Sequence, residues 1–178
     1  MGILVDRNPM KPAPQENSEP APPDGHASGT LWDRPGFLVR RLHQIHVAMF
    51  LEECAGETIT PVQFGLLSIL AEMPGLDQIT LGAELGIDRT NVADVLDRLE
   101  RRGLLTRIVN PRDRRMKLAT LTSRGEAYVR RNEPSMRRAQ ERLLAPLAPG
   151  DRKIFMKLLR RLAEENNRSG RTRLREPR

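Results

Sequence analysis

The stretch from Thr80 to Leu105 constrains this chain more than any other. Leu81 and Leu85 mark a short helix, and Gly86 breaks it. Asp88 then stands as a good N-cap for a second helix. Val92, Val95, Leu96 and Leu99 share its inner face, and Gly103 ends it. Two helices joined by a short glycine-containing turn make a helix-turn-helix pattern.

The flanks carry helical spacing too. Leu38, Leu42, Ile45 and Met49 recur on one helix face, with Pro35 near its start. Thr60, Pro61 and Gln63 read as a capping box opening a helix through Phe64, Leu67 and Leu70 that stops near Pro74-Gly75. Residues around Gln78-Ile79 read as extended. After Gly103 the period changes. Residues 104–109 and 116–121 read as two strands joined by the polar loop 110–115, a hairpin with a charged tip. On the second strand Met116, Leu118 and Thr120 fall on one side and the basic or small residues on the other. Ser123 and Glu126 read as another capping box, opening a helix through Tyr128, Val129, Met136, Ala139, Leu143 and Leu144. Asp151 can cap a last helix with Ile154, Phe155, Leu158, Leu159 and Leu162 on one face.

Composition narrows the function classes. The formal net charge is +7, which points to a polyanionic partner or, blandly, to arginine-favouring codon usage. No run of about 18 apolar residues occurs, so no membrane span is expected. Cys54 is the single cysteine and His26, His43 and His46 the only histidines, so neither a disulfide framework nor a metal site is expected. These features suggest a reducing cytoplasm. Residues 1–30 hold six prolines, Pro9, Pro12, Pro14, Pro20, Pro22 and Pro23, and read as disordered. The tail 166–178 carries Arg168, Arg171, Arg173, Arg175 and Arg178 against Glu176, and reads as a solvated tail or a non-specific DNA arm.

The segment from Leu81 to Gly125, with Asp113-Arg114-Arg115 at the hairpin tip and Leu118, Leu121 and Thr122 behind it, resembles the winged helix-turn-helix of the MarR family of transcription regulators. The resemblance covers roughly residues 34–165. It implies a mainly α fold with a small β-hairpin wing and a helical dimerisation region. The divisions expected are an N-terminal helix over 31–58, a DNA-binding domain over 59–122, and dimerisation helices over 123–165. Residues 34–46 and 59–64 resemble a branch that represses aromatic-acid catabolism and responds to an aromatic acyl-CoA such as p-coumaroyl-CoA. Trp32 also matches a urate-responsive branch, but Thr60–Phe64 lacks the acidic residue that branch would have.

A helix-turn-helix puts the start of its second helix in the major groove. Arg89, Thr90 and Asn91 are then candidates for base contacts, since Arg suits guanine and Asn suits adenine. Asp94 would have to face a cytosine amino group or pair with an arginine. Thr80, Arg98, Arg107 and Lys117 are candidates for phosphate contacts. In the wing, Arg112, Arg114 and Arg115 surround Asp113. The resemblance assigns Arg115 to the minor groove with Asp113 orienting it. The alternative for these positions is a solvated, capped helix face and a surface ion pair.

The apolar faces of the first and last helices predict a homodimer through Leu143, Leu147, Ile154, Phe155, Leu158 and Leu162, on double-stranded DNA with half-sites about 10 bp apart. The resemblance places a small-molecule effector between the dimer helices and the winged domain. Trp32, Phe37, His43, Val47, Phe50 and Phe64, with Ile45, offer lining, and Arg34, Arg40 and Arg41 offer cations for a carboxylate or CoA phosphates. The blander reading makes these core residues and a solvated face. No catalytic constellation, phosphate loop or cofactor motif is present, so no enzyme is expected. Cys54, eight residues from His46, leaves open a redox sensor on the same scaffold or a plain structural thiol. A third alternative is an interaction module whose helix-turn-helix no longer binds DNA.

Overall fold

The computed structural model describes residues 30–170 and 172–175. The expected N-terminal tail therefore lies, apart from Thr30, outside the described residues. The chain divides into two units at Leu38–Val39. In the first, a short 3-10 turn at Leu31–Asp33 precedes α1 (Pro35–Glu53), whose run continues into the second.

In the second unit, α2 (Pro61–Glu72) opens on the expected capping box. The Gln63 amide donates to Thr60 Oγ1 at 3.2 Å, and the Thr60 amide donates to Gln63 Oε1 at 3.1 Å. Phe64, Leu66, Leu67 and Leu70 of this helix are buried. The extended residues lie two positions earlier than expected, at β1 (Leu76–Asp77). Gln78 and Ile79 instead begin α3 (Gln78–Leu85), because the Asp77 carboxylate accepts the amides of Ile79 and Thr80 and caps the helix there. Gly86 takes a left-handed φ of 67° at the turn, where glycine pays no Cβ penalty. Asp88 caps α4 (Arg89–Arg101), whose Val92, Leu96 and Leu99 are buried as expected.

The hairpin comprises β2 (Leu105–Val109) and β3 (Lys117–Leu121), antiparallel with Leu105 opposite Leu121 and Val109 opposite Lys117. β1 adds to the other edge of β3, giving the order β1-β3-β2. On β3 the core side is Ala119 and Leu121, while Leu118 and Thr120 are half-buried.

Two expected caps sit elsewhere. α5 (Ser123–Leu144) is capped by Thr122, not Ser123; its hydroxyl accepts the Gly125 amide at 3.1 Å and donates to the Gly103 carbonyl at 2.7 Å. Glu126 pairs with Arg130 one turn on rather than closing a capping box. α6 (Pro149–Glu165) starts from Ala148 with Pro149 in the first turn, so Asp151 lies inside the helix. The core joins Phe50 and Ile59 to the inner faces of α2, α3, α4 and the sheet, and is closed by Tyr128 and Ala139 of α5. No helix of the described residues is long and apolar enough to cross a membrane.

Candidate nucleic-acid interface

α4 presents Arg89, Thr90, Asn91, Asp94, Asp97 and Arg98 to solvent while its opposite face is sealed in the core. Its N-terminus is held from two sides. The Asp88 carboxylate accepts the Asn91 amide at 3.0 Å and Asn91 Nδ2 at 2.6 Å. Gln78 Nε2 donates to the Arg89 carbonyl at 2.7 Å and ties the start of α3 to the start of α4. In this conformation the Asn91 side chain completes the cap, so reaching an adenine requires it to leave Asp88.

At the wing, one carboxylate arranges one guanidinium. Asp113 accepts the Arg115 amide, Nε and a terminal nitrogen, each at 3.1 Å. This two-pronged contact fixes the plane of the guanidinium, yet the Arg115 side chain is 89% exposed and its charge faces outward. Hydrogen bonding from Arg115 holds the Asp113 carboxyl below the usual carboxylate range, and Asp113 pushes Arg115 upward. Arg115, Lys117 and Arg89 line a common groove with Asp77 and Gln78, so the wing base and the α4 N-terminus open on one face. Arg112 and Arg114 are exposed at the tip, where Asn110 Oδ1 accepts the Arg112 amide.

Two expected phosphate contacts are otherwise engaged. Thr80 is half-buried and its hydroxyl donates to Asp77 Oδ2 at 2.7 Å, inside the α3 cap. That site also lowers the Asp77 pKa, since hydrogen bonds from Thr80 and Ile79 outweigh the opposing effect of burial. Arg107 is turned inward. Its Nε donates to Glu100 at 2.9 Å, a terminal nitrogen donates to Asp97 at 2.6 Å, and its amide donates to Glu100 at 3.0 Å. Arg107 thereby braces β2 against α4, and its hydrogen bond holds Glu100 below the usual range.

The expected effector residues divide between the two units. In the first, the Trp32 and Phe37 rings meet edge to face at 5.4 Å, and Trp32 and Arg34 are exposed. In the second, Arg40, Arg41 and His43 are exposed, and Ile45 and Val47 half-buried. Phe50 and Phe64 depart from the expectation of lining. They are 0% and 2% exposed and pack edge to face at 6.5 Å within the core.

Cys54 is also a core residue, 3% exposed. Burial pushes its thiol upward, and the neighbouring carboxylates of Glu57 and Glu53 push the same way. That is the reverse of what activates a cysteine. His46 sits against Gln140 of α5 at 3.2 Å, and burial, then His43, lowers its pKa.

The sequence profile of the MarR family matches residues 59–117, the span from α2 to the wing. A protein of Thauera aromatica assigned to transcriptional regulation of the hcr operon is 31% identical over 78% of this chain and 84% of its own length. The chain belongs to the MarR family. The crystal structure of the PcaV transcriptional regulator from Streptomyces coelicolor with its natural ligand is 39% identical, covers 78% of this chain and 97% of that one, and superposes with a TM-score of 0.72. BpsR of Bordetella bronchiseptica, whose DNA binding is regulated by 6-hydroxynicotinic acid, is 30% identical over 76% of this chain and 97% of its own, with a TM-score of 0.73.

MarR proteins are DNA-binding regulators rather than enzymes, and they act as dimers on operators and small ligands. On this MarR chain the α6 face is open: Ile154, Leu158 and Leu162 are 57%, 51% and 60% exposed. Sequence reading missed the ties from α5 to the end of α1 and to the loop after it. Arg138 and Arg142 bind Glu53 at 2.8 and 2.9 Å, Arg142 also binds Glu52 at 2.7 Å, and Arg131 binds Glu57 at 2.8 Å. The signal was available, because Arg131, Arg138 and Arg142 recur at helical spacing along one face. Gly125 was missed as well: a Cβ there would lie 1.9 Å from the Leu104 carbonyl oxygen.

Proposed function

We propose that this MarR regulator is a repressor of aromatic-acid degradation genes that leaves its operator when an aromatic acyl-CoA binds. The observation that carries the DNA reading is the Asp113–Arg115 fork facing the same groove as Arg89. A planar cation held outward on a hairpin is suited to a narrow, electronegative minor groove. Arg89, Thr90, Asn91 and Asp94 would read bases, and Arg98, Arg112, Arg114 and Lys117 would hold phosphates. The open α6 face, joined by Leu143, Leu147 and Phe155, supplies the two-fold interface of a homodimer on a pseudo-palindrome.

Within the second unit, Arg40 and Arg41 would supply the cations that a thioester's phosphates or a carboxylate requires. His43 and Val47 would meet the aromatic portion. A free aromatic acid is the second reading, favoured by the similarity to BpsR and its 6-hydroxynicotinic acid. Release by oxidation of Cys54 is disfavoured by the thiol's burial beside Glu53 and Glu57. Ligand would select a dimer conformation with the wrong half-site spacing, which requires different affinity for two states and therefore reciprocal effects.

The test is fluorescence anisotropy on the DNA upstream of the chain's own gene, with p-coumaroyl-CoA, p-coumarate and 6-hydroxynicotinate. Release by the thioester alone supports the first reading, and release by a free acid supports the second. Arg115→Ala should weaken binding by roughly tenfold or more. An unchanged affinity would remove the DNA reading. Operator DNA must weaken the ligand's affinity by the factor with which ligand weakens DNA binding; unequal factors overturn the two-state mechanism.

A further inference from the structure

The residues after α6 return to the helix-turn-helix. Asn167 brackets Leu174: its Nδ2 donates to the Leu174 carbonyl at 2.9 Å, and the Leu174 amide donates to its Oδ1 at 2.8 Å. Leu174 lies on Gly86 at the turn, where a Cβ would stand 3.0 Å from the leucine side chain. The next amide, of Arg175, donates to the Ala83 carbonyl at 2.9 Å. Ala83 is in the last turn of α3, where carbonyls lack intrahelical partners. The Arg175 guanidinium stands 3.5 Å from Glu84, a carboxylate on the same helix. Residues 174 and 175 are therefore latched to the helix-turn-helix, while Arg171 and residues 176–178 of the expected tail lie outside the described residues.

We propose that the latched tail is a DNA-backbone arm. Arg168 and Arg173, held beside the helix-turn-helix, engage phosphates flanking the bases that α4 reads, while Arg175 offsets the Glu84 charge that would repel the duplex. The arm rests on the DNA reading above. Its chemistry is sequence-independent, because phosphate contacts add affinity and salt dependence without reading bases.

The experiment measures Kd against salt concentration for the full chain, Arg168→Gln/Arg173→Gln and Asn167→Ala. Each is tested on the DNA upstream of its own gene and on an unrelated duplex of equal length. Two lost contacts, at about 0.9 each, should flatten the log–log slope by about 1.8 on both duplexes. Asn167→Ala keeps every charge but opens the latch, and should bind both duplexes more weakly. Thermal melting of each variant checks that the fold is retained. An unchanged slope in the double variant overturns the arm, and parental affinity in Asn167→Ala overturns the latch. If the full chain binds neither duplex, the DNA reading itself fails and takes the arm with it.

Discussion

Arg107→Gln distinguishes an internal brace from a phosphate contact. The Arg107 side chain is 18% exposed and holds Glu100 and Asp97 together on α4. A hydrogen bond to a charged group is worth about 1.5–3 kcal/mol where water is kept away. The Asp97 arm is 56% exposed and counts at the surface-pair value, about 0–1 kcal/mol. Glutamine keeps one donor but no charge, and leaves the two carboxylates facing each other. A loss of about 2 kcal/mol follows, which lowers Tm by roughly 4–8 °C in a chain of this size. DNA affinity should fall several-fold, because β2 and the wing are no longer held at a fixed angle to α4. The salt slope should not move, because Arg107 neutralises carboxylates and not phosphates. Calorimetry and a salt series of anisotropy titrations measure both quantities. A slope smaller by about 0.9 with an unchanged Tm would refute the brace and restore Arg107 to the phosphate backbone.

Gly125→Ala should destabilise the fold by about 3 kcal/mol, read as a lower denaturant midpoint, because the atom its Cβ would strike is backbone rather than a yielding side chain. Two pH windows should separate. His46 has a lowered folded pKa, so stability is lost as pH drops below about 6.5, and His46→Gln should remove that decline in melting temperature. Glu53 is lowered by hydrogen bonds from Arg138 and Arg142, so its contribution persists above the usual glutamate range and is lost only at lower pH; Glu53→Gln should flatten the acid limb alone. Cys54→Ser should leave the effector response intact in the release assay, and a lost response would restore the redox reading.

What was legible in the sequence was local. The Thr60–Gln63 box and the Asp88 cap each rest on residues a turn apart, and both are formed. Thr122 took the cap from Ser123 because its hydroxyl also reaches the Gly103 carbonyl, a partner nineteen positions away. β1 is two residues long and exists through its pairing with β3, so no periodicity announced it. Among the expected site residues, Arg89, Arg115 and Lys117 come together at one groove, which Arg107 also lines. Arg107 and Thr80 are each engaged by carboxylates, for different reasons. The Thr80 partner, Asp77, stands three residues earlier as the local cap of α3 and was within reach of sequence reading. The Arg107 partners, Asp97 and Glu100, lie across the junction of β2 with α4, which only the fold supplies. Phe50 and Phe64 show the same limit for apolar residues, since a ring able to line a pocket is equally able to fill a core.

The position of α4 is set at three places, and they differ in what they join. At its start, Gln78 binds the Arg89 carbonyl within the helix-turn-helix. Along its flank, Arg107 joins it to β2. Just beyond its end, Arg102 donates to the Thr58 carbonyl at 2.6 Å and lies over the Tyr128 ring, 5.5 Å from its centre. Arg131 covers the same ring at 5.3 Å and binds Glu57. The loop between α1 and α2 therefore meets α4 and α5 through one aromatic ring and two guanidinium groups. An effector that displaces this loop has a contiguous path to the recognition helix that bypasses the wing. Contiguity is not coupling, and the two are separated by measurement. If the path carries the signal, Arg102→Gln should reduce the ligand's effect on DNA affinity while leaving the salt slope of the ligand-free chain unchanged. If the ligand's effect persists in full, release proceeds through the dimer interface without this junction.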